Sequence, residues 1–132
     1  MATAYDVRDG RAVYNGRTLD EWVPDVVREL IQLVQPERII LFGSVGRGDD
    51  GPDSNIDLMV VLSELDYGER RELTARLRSG LRAPLRIQLF LTDERECRRR
   101  RDVIGSIHYH PLREGRLVYD RAATVRQDLG AA

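Results

Sequence analysis

Two apolar runs joined by a small-residue loop constrain this chain more than any other stretch. The first, Arg38-Ile39-Ile40-Leu41-Phe42, reads as a strand and stops at Gly43-Ser44. A polar loop follows, and Asn55 and Asp57 then stand at the mouth of the second run, Leu58-Met59-Val60-Val61-Leu62. Side chains alternate along a strand, so Asn55 and Asp57 share a face and point toward whatever Gly43-Ser44 holds. A small-residue turn that exposes backbone N–H groups suits phosphate. Oxygen ligands opposite it suit Mg²⁺, which bridges carboxylates and substrate phosphates. The arrangement reads as a nucleotide site, with Gly43, Ser44 and Arg47 on the phosphates and Asp57 and Asn55 on the metal. Gly43 permits close approach, Ser44 adds a hydroxyl and an N–H, and the planar fork of Arg47 matches a phosphate oxygen. A competing role for Arg47 is to neutralise Asp49 or Asp50.

Around this centre, helices and strands alternate. Residues 1–17 read as an N-terminal arm, extended or hairpin-like over 5–14, with Asn15-Gly16 as a turn. Thr18 and Glu21 form a capping box. Behind it Val23, Val26, Val27, Leu30, Leu33 and Val34 fall at helical spacing and end before Pro36. Pro24 predicts either a later start or a kink. Strands are expected over 38–42, 57–62 and 85–91, and a helix striped by Leu73, Leu77 and Leu81 from about Asp66 to Gly80. Asp93 and Glu96 cap a further helix, Ile104 to Arg113 forms another, and 115–119 is a last strand. Residues 123–132 read as a loose tail. Alternation with short connections predicts an α/β (α+β) arrangement: a small mixed sheet flanked by helices. A length of 132 residues suits one domain over the whole chain.

The stretch over 38–62 resembles the Gly-Ser … Asp-x-Asp signature of the DNA polymerase β-like nucleotidyltransferases, and most nearly their small bacterial members, the minimal nucleotidyltransferases. Residues 45–54 separate Ser44 from Asn55, so the family's two aspartates fall on Asn55 and Asp57. The family's third carboxylate falls on Gln88, within Pro84-Leu85-Arg86-Ile87-Gln88-Leu89-Phe90. The resemblance implies a nucleotidyltransferase-like fold and transfer of a nucleoside monophosphate, AMP from ATP, to a hydroxyl of a protein or small molecule. It implies Mg²⁺ as cofactor, ATP as substrate, and Asp57, Asn55 and Gln88 at the catalytic positions. It also implies a role as antitoxin to a HEPN-type toxin, with homo-oligomers common among such small proteins. Two of the three expected carboxylates are carboxamides, so activity is expected to be impaired. Asp53 and Asp93 are the nearest other acids, and neither has the parity and placement to substitute. The sequence leaves three readings of the carboxamides open: natural decay to a protein that only binds, deliberate inactivating substitution, or a variant site that tolerates them. It likewise leaves open a non-catalytic antitoxin, or a nucleotide-binding protein that acts by holding a partner.

Composition narrows the partners. Charged residues make up 33% of the chain but balance to a net −1, which gives no general pull toward nucleic acid or acidic membrane. No run is long and apolar enough for a membrane span. The single Cys97 forms no internal disulfide, and a reducing cytoplasm is the expected compartment. The run Arg98 to Arg101 lies among acids and is expected to be a solvated helix face, offering charge to a protein partner. His108-Tyr109-His110 lacks the further ligands zinc needs, so a structural histidine is expected there.

Overall fold

The structure, a computed structural model, describes residues 5–82 and 85–123. The expected arm is a three-stranded antiparallel meander: β1 (Tyr5–Arg8), β2 (Arg11–Tyr14) and β3 (Arg17–Thr18), in the order β1-β2-β3. Both tight turns use the left-handed region. Asp9-Gly10 has φ 53° and 79°, and Asn15-Gly16 has φ 48° and 80°. Paired positive φ values define the turns that match strand twist. Helix α1 (Leu19–Val34) follows directly, and its capping box is complete: Thr18 Oγ1 accepts from the Glu21 amide while the Glu21 carboxylate accepts from the Thr18 amide. Pro24 lies inside α1 and does not delay its start.

Four strands make the second sheet: β4 (Arg38–Phe42), β5 (Ile56–Leu62), β6 (Ile87–Asp93) and β7 (Arg116–Asp120). Their order is β6-β5-β4-β7, with β5 and β6 parallel and the other pairs antiparallel. Between β4 and β5 the chain makes one short helix, α2 (Gly43–Arg47), where the sequence reading has only a turn and loop. A 3-10 turn at Tyr67–Glu69 leads into α3 (Arg70–Gly80). Beyond β6 come α4 (Glu94–Arg100) and α5 (Tyr109–Glu114). The helix expected from Ile104 is thus much shorter, because Val103 to His108 form successive turns and His108 is drawn into the interior. The tail expected over 123–132 lies, apart from Ala123, outside the described residues.

Alternation divides the sheet into two faces. Ile39, Leu41, Leu58, Val60 and Leu91 face α1 and α3 and make the main core, with Leu19, Val26 and Leu30 of α1 fully buried against them. Each such side chain contributes roughly 1.5–3 kcal/mol of hydrophobic stabilisation. The opposite face carries Ile40, Met59 and Val61 under Cys97 of α4 and Leu112 of α5. That second cover is shorter than the first and leaves Phe42, Asp57 and Gln88, at one end of this face, partly open. Arg38 fixes the cover by a two-pronged pair to Glu94, at 2.8 and 3.1 Å.

Candidate functional site

The ladders place Phe42 opposite Asp57, and Asp57 opposite Gln88. Directly opposed residues share a face, so these three side chains form a row across β4, β5 and β6. Asn55 lies just before β5, half-buried, at the parity of Asp57. The sequence reading therefore assigns Asn55, Asp57 and Gln88 to a common surface, and the strand register brings Asp57 and Gln88 together on it.

Gly43 explains how closely the turn approaches Asp57. Its φ is 71°, and a Cβ built there would lie 2.1 Å from Asp57 Oδ2 and 3.0 Å from Cγ. No side chain fits, and the left-handed backbone favours glycine independently. The carboxylate is thus pressed against the first residue of α2. Its Oδ1 is buried and has no hydrogen-bond partner. Burial pushes the Asp57 carboxyl above the ordinary aspartate value, and the Arg47 guanidinium opposes this in part. A charged oxygen without donors costs free energy unless a cation or donor meets it.

Ser44 is less free than its sequence position implies. Its hydroxyl donates to Ser54 Oγ at 2.8 Å, and the same Ser54 oxygen accepts from the Gly51 amide at 2.8 Å. Ser54 thereby ties the loop back onto α2, a role that no sequence pattern signalled. Arg47 makes an exposed pair with Asp49 at 3.3 Å, weak enough to yield to a stronger anion. A cavity of about 300 Å³ opens beside the turn, lined by Phe42, Gly43, Gly46 and Arg47 on one side and by His110, Glu114 and Gly115 on the other. His110 and Glu114, a turn apart on α5 and 3.4 Å from one another, reach this cavity only because α5 folds over β4. Nothing in their spacing announces it.

The two histidines separate. His108 is buried, with its Nε2 2.7 Å from Thr92 Oγ1, and burial holds the ring below the ordinary histidine value. It is structural, as expected, whereas His110 is exposed. Asp93 also has a structural task, accepting from the amides of Glu96 and Leu65. Asp53 is exposed in the loop. The one buried acid that sequence reasoning missed is Asp50, whose side chain is 2% exposed with Arg11 of β2 3.8 Å away. Arg11 also donates to the Gly48 carbonyl at 2.7 Å, so the meander braces the loop that follows α2.

A pair of Mg²⁺ ions does not fit the residues present. Asp57 offers one orphaned carboxylate oxygen, but its neighbours Asn55 and Gln88 offer neutral amide oxygens. Mg²⁺ sheds water reluctantly and needs anionic ligands. Among the described residues no three His, Cys, Asp or Glu side chains converge as a metal group.

A family model described as polymerase beta, nucleotidyltransferase matches residues 26–124. Among solved structures, a candidate nucleotidyltransferase from Sulfolobus solfataricus is similar with a TM-score of 0.54 and 21% identity, over 79% of this chain and 82% of that one. That likeness is one of fold. A toxin–antitoxin MntA-HpeT mutant, with a TM-score of 0.46 and 21% identity, covers 83% of this chain and 89% of its own. A toxin–antitoxin with AMP-PNP, with a TM-score of 0.44 and 22% identity, covers 86% and 90%. The last two scores are too low to add to the fold assignment. No curated protein matches the chain.

Proposed function

Because this chain belongs to the polymerase beta nucleotidyltransferase family, we propose that it binds a nucleotide between the Gly43-Ser44 turn and Asp57, transfers AMP weakly or not at all, and acts through a protein partner. The observation that carries this reading is the row Phe42–Asp57–Gln88, with Gly43 pressed against its one carboxylate. The phosphate side is intact: a glycine of the required conformation, a short helical turn whose first amides have no intrahelical acceptor, and Arg47 on the cavity wall. The metal side is not. Asn55 and Gln88 remove two charges, and an amide at position 88 cannot accept a proton from an attacking hydroxyl.

The family's chemistry is transfer of a nucleoside monophosphate to a hydroxyl. With the metal side reduced to Asp57, this chain's residues bind and orient phosphates without supplying that step efficiently. The resemblance to minimal nucleotidyltransferases extends the reading to a HEPN-type toxin as partner, which the chain would neutralise as an antitoxin by binding. Calorimetry with ATP, with and without Mg²⁺, tests the nucleotide half. Weak binding that changes little with Mg²⁺ is expected. Tight binding that requires Mg²⁺ would contradict the reading of Asn55 and Gln88.

A further inference from the structure

β6 is an edge strand: it pairs with β5 on one side, and no described residue pairs with it on the other. The Ile56 amide donates to the Arg86 carbonyl, whose own amide donates to the Tyr5 hydroxyl, so the backbone groups of Gln88 and Phe90 turn inward to β5. Those of Ile87, Leu89 and Leu91 turn outward by alternation. A cavity of about 360 Å³ runs along this edge between β6 and α3, touching the consecutive residues Leu89, Phe90 and Leu91. Contact with consecutive residues means that the groove opens onto the strand's edge, not onto one face. A second cavity of about 320 Å³ continues it past Gln88 to Phe42, with Ile107 as its apolar wall. Ile107 is 45% exposed and Ile104 beside it 80%.

The charge of this groove is one-sided. Its lining includes Arg70, Arg71 and Arg78 of α3 and no carboxylate. By contrast the arginine face expected on α4 is partly neutralised, since Glu96 pairs with both Arg99 and Arg100. We infer that the free edge of β6 takes up an extended acidic peptide segment of a partner protein as an added strand, with its carboxylates on the arginines of α3 and an apolar side chain against Ile107. Strand addition supplies the main-chain hydrogen bonds that the outward groups lack, and the flanking pockets select side chains. Natural sheets protect a bare edge of this kind by covering or charging it. Single-stranded nucleic acid fits less well. The aromatic face it would stack on, Phe90, is already covered by the Arg70 guanidinium at 5.1 Å. The inference stands independently of nucleotide binding, and it sets the partner segment beside Gln88, on the side of the row away from the phosphate turn.

Fluorescence anisotropy with a labelled peptide of about eight residues, alternating Glu and Val, tests it. A Lys/Val peptide and an oligouridine of similar length serve as comparators. The Glu/Val peptide should bind preferentially, and R70E with R78E should weaken it by about tenfold or more. Leu89→Pro removes one outward amide while leaving the bonds to β5, and should abolish binding. Amide exchange in the unaltered protein should slow at Leu89 and Leu91 when the Glu/Val peptide is added, which a purely electrostatic association would not produce. Equal or tighter binding of the Lys/Val peptide or the oligouridine would overturn the inference. So would unchanged exchange at Leu89 and Leu91, a result that needs no variant to fold.

Discussion

At Asp57, burial and charge conflict: one carboxylate oxygen is buried with no hydrogen-bond partner. Burial raises its carboxyl above the ordinary aspartate value, so the folded state holds that proton more tightly than the unfolded chain does. The resulting cost is absent below the ordinary aspartate range, grows as pH rises through it, and is complete above the folded value. Asp57→Asn should therefore stabilise the fold at neutral pH by about 1 kcal/mol, typical of a functional group removed from a strained site. The gain should vanish near pH 3, below the ordinary aspartate value. Urea unfolding at the two pH values checks this, and equal gains at both would show that the carboxylate is not strained. The sequence singles out Asp57 and Gly43 because a carboxylate two residues from Asn55, at the start of an apolar run, has few structural uses. It did not show that Gly43 is needed because Asp57 Oδ2 occupies the place of a Cβ. Contacts of that kind depend on the register of β4 against β5, which no local pattern encodes.

At the scale of elements, junctions decide the geometry of the site. Asp93 closes β6 and opens α4, with one carboxylate oxygen accepting from the Glu96 amide at 2.9 Å and the other from the Leu65 amide at 3.2 Å. Asp93→Ala leaves two amides without acceptors in a position only 6% exposed. It should cost about 2–3 kcal/mol in urea unfolding, the sum of a lost cap and an unpaired buried donor. Asp93→Asn, which keeps one oxygen, should cost less, and equal costs would show that only one bond matters. This cap was legible, as was the Thr18–Glu21 box, because both are fixed local spacings. The N-terminal meander was only half legible: Asn15-Gly16 marks one turn plainly, whereas Asp9-Gly10 follows β1, a short polar strand that is largely exposed. The length of α5 was misread because His108 leaves the helical pattern to reach Thr92, a tertiary pull across the sheet.

For the whole molecule, two sheet faces divide the work. One is closed by α1 and α3 and supplies the main core, while the other is only partly covered by α4 and α5 and carries the row from Phe42 to Gln88. No helix among the described residues is long and apolar enough to cross a membrane. The mixed sheet was legible from the alternation of strands and helices. The strand order β6-β5-β4-β7, which leaves β6 at an edge beside the arginines of α3, was not, since order is set by long-range pairing. We propose that this fold keeps its phosphate turn and lacks only the charges at 55 and 88 for efficient transfer. The most direct measurement is transfer of labelled AMP from ATP, in the presence of Mg²⁺, to proteins of a cell extract by the unaltered chain and by Asn55→Asp with Gln88→Asp. Restoring two metal ligands is worth several kcal/mol of transition-state stabilisation, at about 1.4 kcal/mol per tenfold in rate. The double variant should therefore exceed the unaltered chain by about 100-fold or more. Equal and rapid transfer by both would show that the carboxamides at 55 and 88 do not limit the site.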